Sequence, residues 1–114
     1  MSTAAYICSP YRGDTERNVA YAQELVKYAL TLGCVPICPH LYLPQVLDDN
    51  NPAEREQGLQ AGLELLQLCD VLIVGERYGI SEGMQAEIDR ATSHGIPILW
   101  REKWTPNSCK YSTT

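Results

Sequence analysis

With 114 residues, 45% of them apolar and 20% charged, the chain has the make-up of one globular domain with a single core. Its net charge of −5 disfavours nucleic-acid polymers and membrane surfaces as partners, although a local nest of backbone N–H groups can still hold a small anion. No apolar run approaches the roughly 18 residues of a membrane span, and no basic, apolar leader opens the chain, so a cytoplasmic protein is expected.

The apolar run from Ala4 to Ser9 reads as a first strand. A helix then starts at Asp14 or Thr15, with Val19, Ala22, Val26 and Ala29 at a 3.6-residue period and Leu25 and Leu32 widening the stripe. Gly33 is its stop. Cys34 to Cys38 reads as a second strand, which Pro36 assigns to a sheet edge. Asn51-Pro52-Ala53-Glu54 combines an N-cap, a first-turn proline and a capping-box glutamate. That helix runs to about Leu68, with Leu59, Leu63 and Leu66 facing inward. Val71 to Val74 is the third strand, 82–93 the third helix and Ile96 to Trp100 the fourth strand. A polar tail from 101 to 114 reads as an extension or interface arm. The single domain is thus 1–100.

Strands alternating with helices imply parallel pairing through right-handed crossovers. The expected fold is a small doubly wound α/β sheet, flavodoxin- or Rossmann-like, of four to five strands in the order 2-1-3-4 with helices on both faces. Ligand crevices in such sheets open where the winding reverses, here beside the loops Ser9 to Asp14 and Gly75 to Gly83.

Those loops carry the chemistry. Ser81 is an N-cap whose helix offers free N–H groups and a positive dipole end to an anion. Gly83 and Glu87, four apart, share a face, so the missing side chain leaves space beside a carboxylate bordering the Met84, Ile88, Ala91 stripe. Arg12 offers a planar fork for a phosphate or carboxylate; the plainer reading pairs it with Asp14 or Glu16. Tyr6, buried mid-strand, needs a partner for its hydroxyl, and Glu87 is the natural one. His40 follows the second strand at the same end and either meets a ligand or caps local backbone. Asp70 and His94 read as structural caps. The five cysteines include no CxxC pair, and Cys34, Cys38 and His40 fit no common zinc spacing, so neither metal nor cofactor is expected.

The segments Tyr6-Ile7-Cys8-Ser9-Pro10-Tyr11-Arg12-Gly13, Cys69-Asp70-Val71-Leu72-Ile73-Val74 and Ser81-x-Gly83-x-x-x-Glu87-Ile88-x-x-Ala91 resemble the nucleoside 2-deoxyribosyltransferase-like superfamily over residues 4 to about 100. The nearest functional relatives by this resemblance are the 2'-deoxynucleoside 5'-phosphate N-hydrolases, with an uncharacterised bacterial and phage branch closer still. The resemblance implies that Glu87 is the nucleophile on the anomeric carbon and that Tyr6 positions it. It implies that Ser81 helps hold a 5'-phosphate, and that the loop of Tyr11, Arg12 and Gly13 lines the base and sugar pocket; Ser9, His40, Gly83 and Met84 complete the expected substrate-binding residues. The family's second carboxylate, counted back without gaps from Asp70, falls on Gly62; Glu56 and Glu64 lie near, and Glu56 is the substitute of choice. An unassisted leaving base would be about 10²- to 10⁴-fold slower. The resemblance therefore leaves an N-glycosidase or transferase acting on a nucleoside or its 5'-monophosphate, beside a non-catalytic nucleotide-binding module and a purely structural domain. It also implies a homo-oligomer, with Trp100, Trp104 and Tyr111 as contact candidates.

Overall fold

The computed structural model describes residues 2–101. Four strands, β1 (Thr3–Cys8), β2 (Cys34–Ile37), β3 (Val71–Gly75) and β4 (Ile98–Arg101), alternate with three helices, α1 (Thr15–Thr31), α2 (Pro52–Gln67) and α3 (Glu82–Ser93). The strands form one parallel sheet in the order β2-β1-β3-β4, as the alternating pattern predicts. Tyr6 of β1 stands opposite Ile37 of β2 and Leu72 of β3, which fixes the register at the centre of the sheet.

The central strands are buried on both faces, which is why they read as unbroken apolar runs. Tyr6, Cys8, Leu72 and Val74 face Leu66 of α2 and Met84, Ile88 and Ala91 of α3. Ala5, Ile7 and Ile73 face Tyr21, Ala22, Leu25 and Ala29 of α1 on the other side. Each fully buried aliphatic side chain contributes about 1.5–3 kcal/mol, so the two layers together hold the sheet. Gly75 permits the α1 layer to close: a Cβ there would lie 2.5 Å from Leu25 Cδ1 and 2.6 Å from the Tyr21 hydroxyl. Pro36 sits in β2, which is an edge strand, where its missing N–H does no harm.

The helix ends follow local chemistry. Asp14 caps α1 through the Arg17 N–H, and Asn51 caps α2 through the N–H groups of Ala53 and Glu54. Asp70, at the far end from the crevice, accepts from the Ala4 N–H at 2.8 Å and ties β3 to the start of β1. His94 is the C-cap of α3.

Three expectations are corrected. Leu59 and Leu32 are exposed: only the C-terminal half of α2 reaches the sheet, through Gly62 and Leu66, and Leu32 lies past the last turn of α1 as its cap. Asn18 and Tyr21 take buried positions of α1 that an apolar count overlooks. The loop after β3 divides: Arg77 turns onto α1, pairing with Glu24 and donating its N–H to Tyr21, and leaves only Ser81 onward beside the crevice. Of the tail and the proposed contacts Trp104 and Tyr111, everything beyond Arg101 lies outside the described residues; Trp100 is half-exposed on edge strand β4.

Candidate functional site

A cleft of 560 Å³ opens at the carboxyl ends of β1 and β3, within the range of small-molecule sites. Of the residues singled out from the sequence, Tyr6, Ser9, Tyr11, Arg12, His40, Ser81, Gly83, Met84 and Glu87 all line it. Gly13 does not; at φ +97° it turns the chain from the Arg12 loop into α1.

The floor is a carboxylate and a phenol. The Tyr6 hydroxyl donates to Glu87 Oε2 at 2.6 Å, joining β1 to α3 across 81 residues of sequence. Glu87 is 8% exposed, and its Oε1 is buried with no hydrogen-bond partner among the described residues. Burial pushes the Glu87 carboxyl up to about 7, with the Tyr6 and Cys8 side chains drawing it partly back. Burial, then the Glu87 charge, hold the Tyr6 phenol far above its ordinary value, so it remains a donor. The neighbouring Cys8 thiol is raised by the same two causes. Burial likewise pushes Cys38 up to about 12 and Cys69 to about 11, which keeps these buried thiols protonated and inert.

Two glycines shape the floor. A Cβ on Gly83 would meet nothing within 4 Å, so the space beside Glu87 that its spacing predicts is present. Gly62 presses α2 against the pair: a Cβ there would lie 2.9 Å from the Tyr6 hydroxyl and 3.8 Å from Glu87 Oε2. The position where the resemblance expects a second carboxylate is thus in contact with Tyr6 and Glu87, but carries no side chain.

The α3 rim is built by its cap. Ser81 Oγ accepts from the Met84 N–H at 3.3 Å, and the Ser81 N–H donates to the Met84 sulfur at 3.5 Å, which anchors the first turn while the Met84 side chain enters the core. Across the cleft, Tyr11 and His40 stack with ring centroids 5.9 Å apart and planes 21° from parallel. Burial lowers the pKa of His40 despite an opposing hydrogen bond to the Ser9 backbone and the Asp49 charge. Ser9 is fully buried, and its Oγ, like Glu87 Oε1, has no partner among the described residues.

Arg12 pairs neither with Asp14 nor with Glu16 but with Asp49, at 2.7 Å; Asp14 is engaged as the helix cap. Two features of this loop escape sequence reasoning. Asn18 is buried and donates its amide to the carbonyls of Tyr11 (3.1 Å) and Arg12 (3.0 Å), while its oxygen accepts from the Arg17 guanidinium. It holds the loop to α1. The segment between β2 and α2 folds into two 3-10 turns, Pro39–Leu41 and Leu43–Gln45, and walls the cleft with Leu43, Pro44, Leu47 and Asp49. Pro39 and Pro44, each in a first turn, are the only local signal for them. Glu56, on the exposed half of α2, also lines the cleft, with Gln60 donating to its carboxylate at 3.2 Å.

The parallel 2-1-3-4 sheet, with α1 on one face and α2 and α3 on the other, is a doubly wound α/β fold with its cleft at the winding reversal. The fold is similar to that of a 2-deoxyribosyltransferase from the psychrotolerant bacterium Bacillus psychrosaccharolyticus, with a TM-score of 0.69 at 16% identity over 86% of this chain and 71% of that one. At the level of family, residues 3–101 match the model of DUF7768, a domain of unknown function, and the chain belongs to that family. Comparison with curated proteins finds no match. No helix among the described residues is long and apolar enough to cross a membrane.

Proposed function

We propose that the protein cleaves, or transfers at, the N-glycosidic bond of a nucleoside 5'-monophosphate, with Glu87 as the nucleophile. The observation that carries this reading is the Glu87 carboxylate itself. It is buried in a cleft of nucleotide size, held through Oε2 by Tyr6, and its other oxygen is unpartnered among the described residues. Tyr6 fixes the carboxylate while Oε1 attacks the anomeric carbon; the carbon–nitrogen bond breaks and its electron pair leaves with the base. Water, or a second base, then displaces Glu87 from the resulting glycosyl ester. A carboxyl with a pKa of about 7 is a strong nucleophile in the ionised half of its population at neutral pH. Ser81, Gly83 and Arg12 hold phosphate and sugar, and the Tyr11–His40 stack faces the base. Glu56, as the carboxylic acid, is the cleft group assigned to give its proton to that base, and it is left as the carboxylate. The relevant branches of the superfamily are the 5'-phosphate N-hydrolases and their bacterial and phage relatives.

Gly62 supports a second reading. With glycine where the resemblance expects the second carboxylate, the same cleft would bind nucleotides without cleaving them. One experiment separates the two. Purified protein is incubated with ribo- and deoxyribonucleoside 5'-monophosphates and their parent nucleosides beside a Glu87→Ala control, and free base is measured by chromatography. Base released by wild type alone supports the glycosidase. No release from any substrate, with nucleotide still raising the melting temperature, refutes it and leaves the binding module.

A further inference from the structure

The arginines of the cleft are arranged around a carboxylate. Asp49 Oδ2 lies 2.7 Å from Arg12 Nε, and its other oxygen, Oδ1, lies 4.0 Å from Arg55 Nε. Arg12 comes from the loop after β1, Arg55 from the first turn of α2 and Asp49 from the segment between them, so three separate elements converge. All three line the cleft, and Arg12 and Arg55 are the only arginine or lysine side chains that do so among the described residues. The remaining charged side chains of the lining are acidic: Glu54, Glu56, Glu82 and Glu87. The guanidinium charge of the cleft is therefore concentrated at one place.

The geometry points to Arg12 and Arg55 as a joint phosphate seat, and to Asp49 as an internal carboxylate that occupies it until a ligand phosphate displaces it. This inference deepens the nucleotide reading above and rests on it for the identity of the ligand. Once Asp49 is displaced, the two guanidinium groups carry a charge of two, which a phosphate dianion neutralises and a single carboxylate does not. Oxygens of one anion addressed by different arginines match a tetrahedral phosphate as well as a carboxylate. Displacement is easy because all three side chains are substantially exposed and water screens the existing pair. The backbone need not move. Asp48 is tied to α2 through its N–H on Glu54 at 2.7 Å, and the Asn51 N–H donates to the Asp48 carbonyl, so rotation of the Asp49 side chain suffices. Asp49 would thus weaken all phosphate-bearing ligands equally and leave those without phosphate untouched.

Titration calorimetry with inorganic phosphate, a nucleoside 5'-monophosphate and its parent nucleoside tests this on wild type, Asp49→Asn and Arg55→Gln. Removing the competing charge in Asp49→Asn is expected to tighten both phosphate-bearing ligands by about five- to tenfold, and Arg55→Gln to weaken them by a similar factor, with the nucleoside unchanged in both. Equal phosphate affinity in wild type and Asp49→Asn overturns the seat, even where the nucleoside binds all three proteins and the nucleoside reading survives. Inorganic phosphate following the expected order, with neither nucleoside nor nucleotide bound, upholds the seat and removes the nucleotide reading instead.

Discussion

Replacing Glu87 by glutamine is expected to stabilise the protein at alkaline pH and to do so less as the solution is acidified. In the native state burial raises the carboxyl to about 7 from an ordinary 4.5. Between those values the folded protein holds a proton that the unfolded chain has released, so wild-type stability falls as pH rises through this window. The window corresponds to about 3 kcal/mol, at about 1.4 kcal/mol per pH unit, and the loss is complete above pH 8. Glutamine keeps an oxygen for the Tyr6 hydroxyl but does not titrate. Its NH₂ group at the unpartnered Oε1 position adds an offset that is the same at every pH. Urea denaturation of both proteins from pH 5 to pH 8 isolates the pH-dependent difference, because all other titrating groups are shared. The variant should gain about 2.5 kcal/mol relative to wild type across that range. A difference that stays flat with pH would refute the raised native carboxyl, and with it the claim that this carboxylate is maintained at the expense of stability, as functional groups are.

Tyr6→Phe removes the hydroxyl that donates to Glu87 Oε2; the Glu87 carboxyl should titrate still higher, and stability at pH 8 should fall by about 1–3 kcal/mol, both readable by NMR titration and denaturation. Gly62→Ala gains helix propensity but drives a methyl to 2.9 Å from the Tyr6 hydroxyl; a net loss of about 1–2 kcal/mol in a urea melt, with an altered Glu87 titration, is expected. Gly75→Ala should cost about 1–3 kcal/mol in the same assay without changing the Glu87 titration, since its clash is with Leu25 and Tyr21 on the opposite layer. Asn18→Ala leaves the Tyr11 and Arg12 carbonyls without their amide donor; amide exchange should speed up in residues 9–13, and nucleotide affinity should drop, with α1 itself intact.

Much of this architecture is readable one element at a time, because its determinants are local. Asp14, Asn51 and Ser81 start their helices by bonding N–H groups two or three residues ahead, and Gly33, with φ +79°, follows the end of α1. The alternation of strands with helices gives the 2-1-3-4 order through the handedness of crossovers, and that order alone brings Tyr6, Arg12, His40, Ser81 and Glu87 to one end of the sheet. Even the Tyr6–Glu87 bond follows, since a buried phenol requires a partner and topology leaves one candidate. Other features depend on how far one element stands from another. Leu59 is as apolar as Leu66, yet only the half of α2 that reaches the sheet is covered. Asn18 is polar and would be placed in water, but two carbonyls of the preceding loop make burial favourable. Asp49 meets Arg12 instead of a nearer acid because two 3-10 turns carry it across the cleft. Gly62 reads as a missing carboxylate in the sequence; in the fold it is the contact surface on which the Tyr6 hydroxyl rests. Caps and periodicity act over a few residues and are written in the chain, whereas distances between elements come from packing the whole core and belong to the tertiary structure.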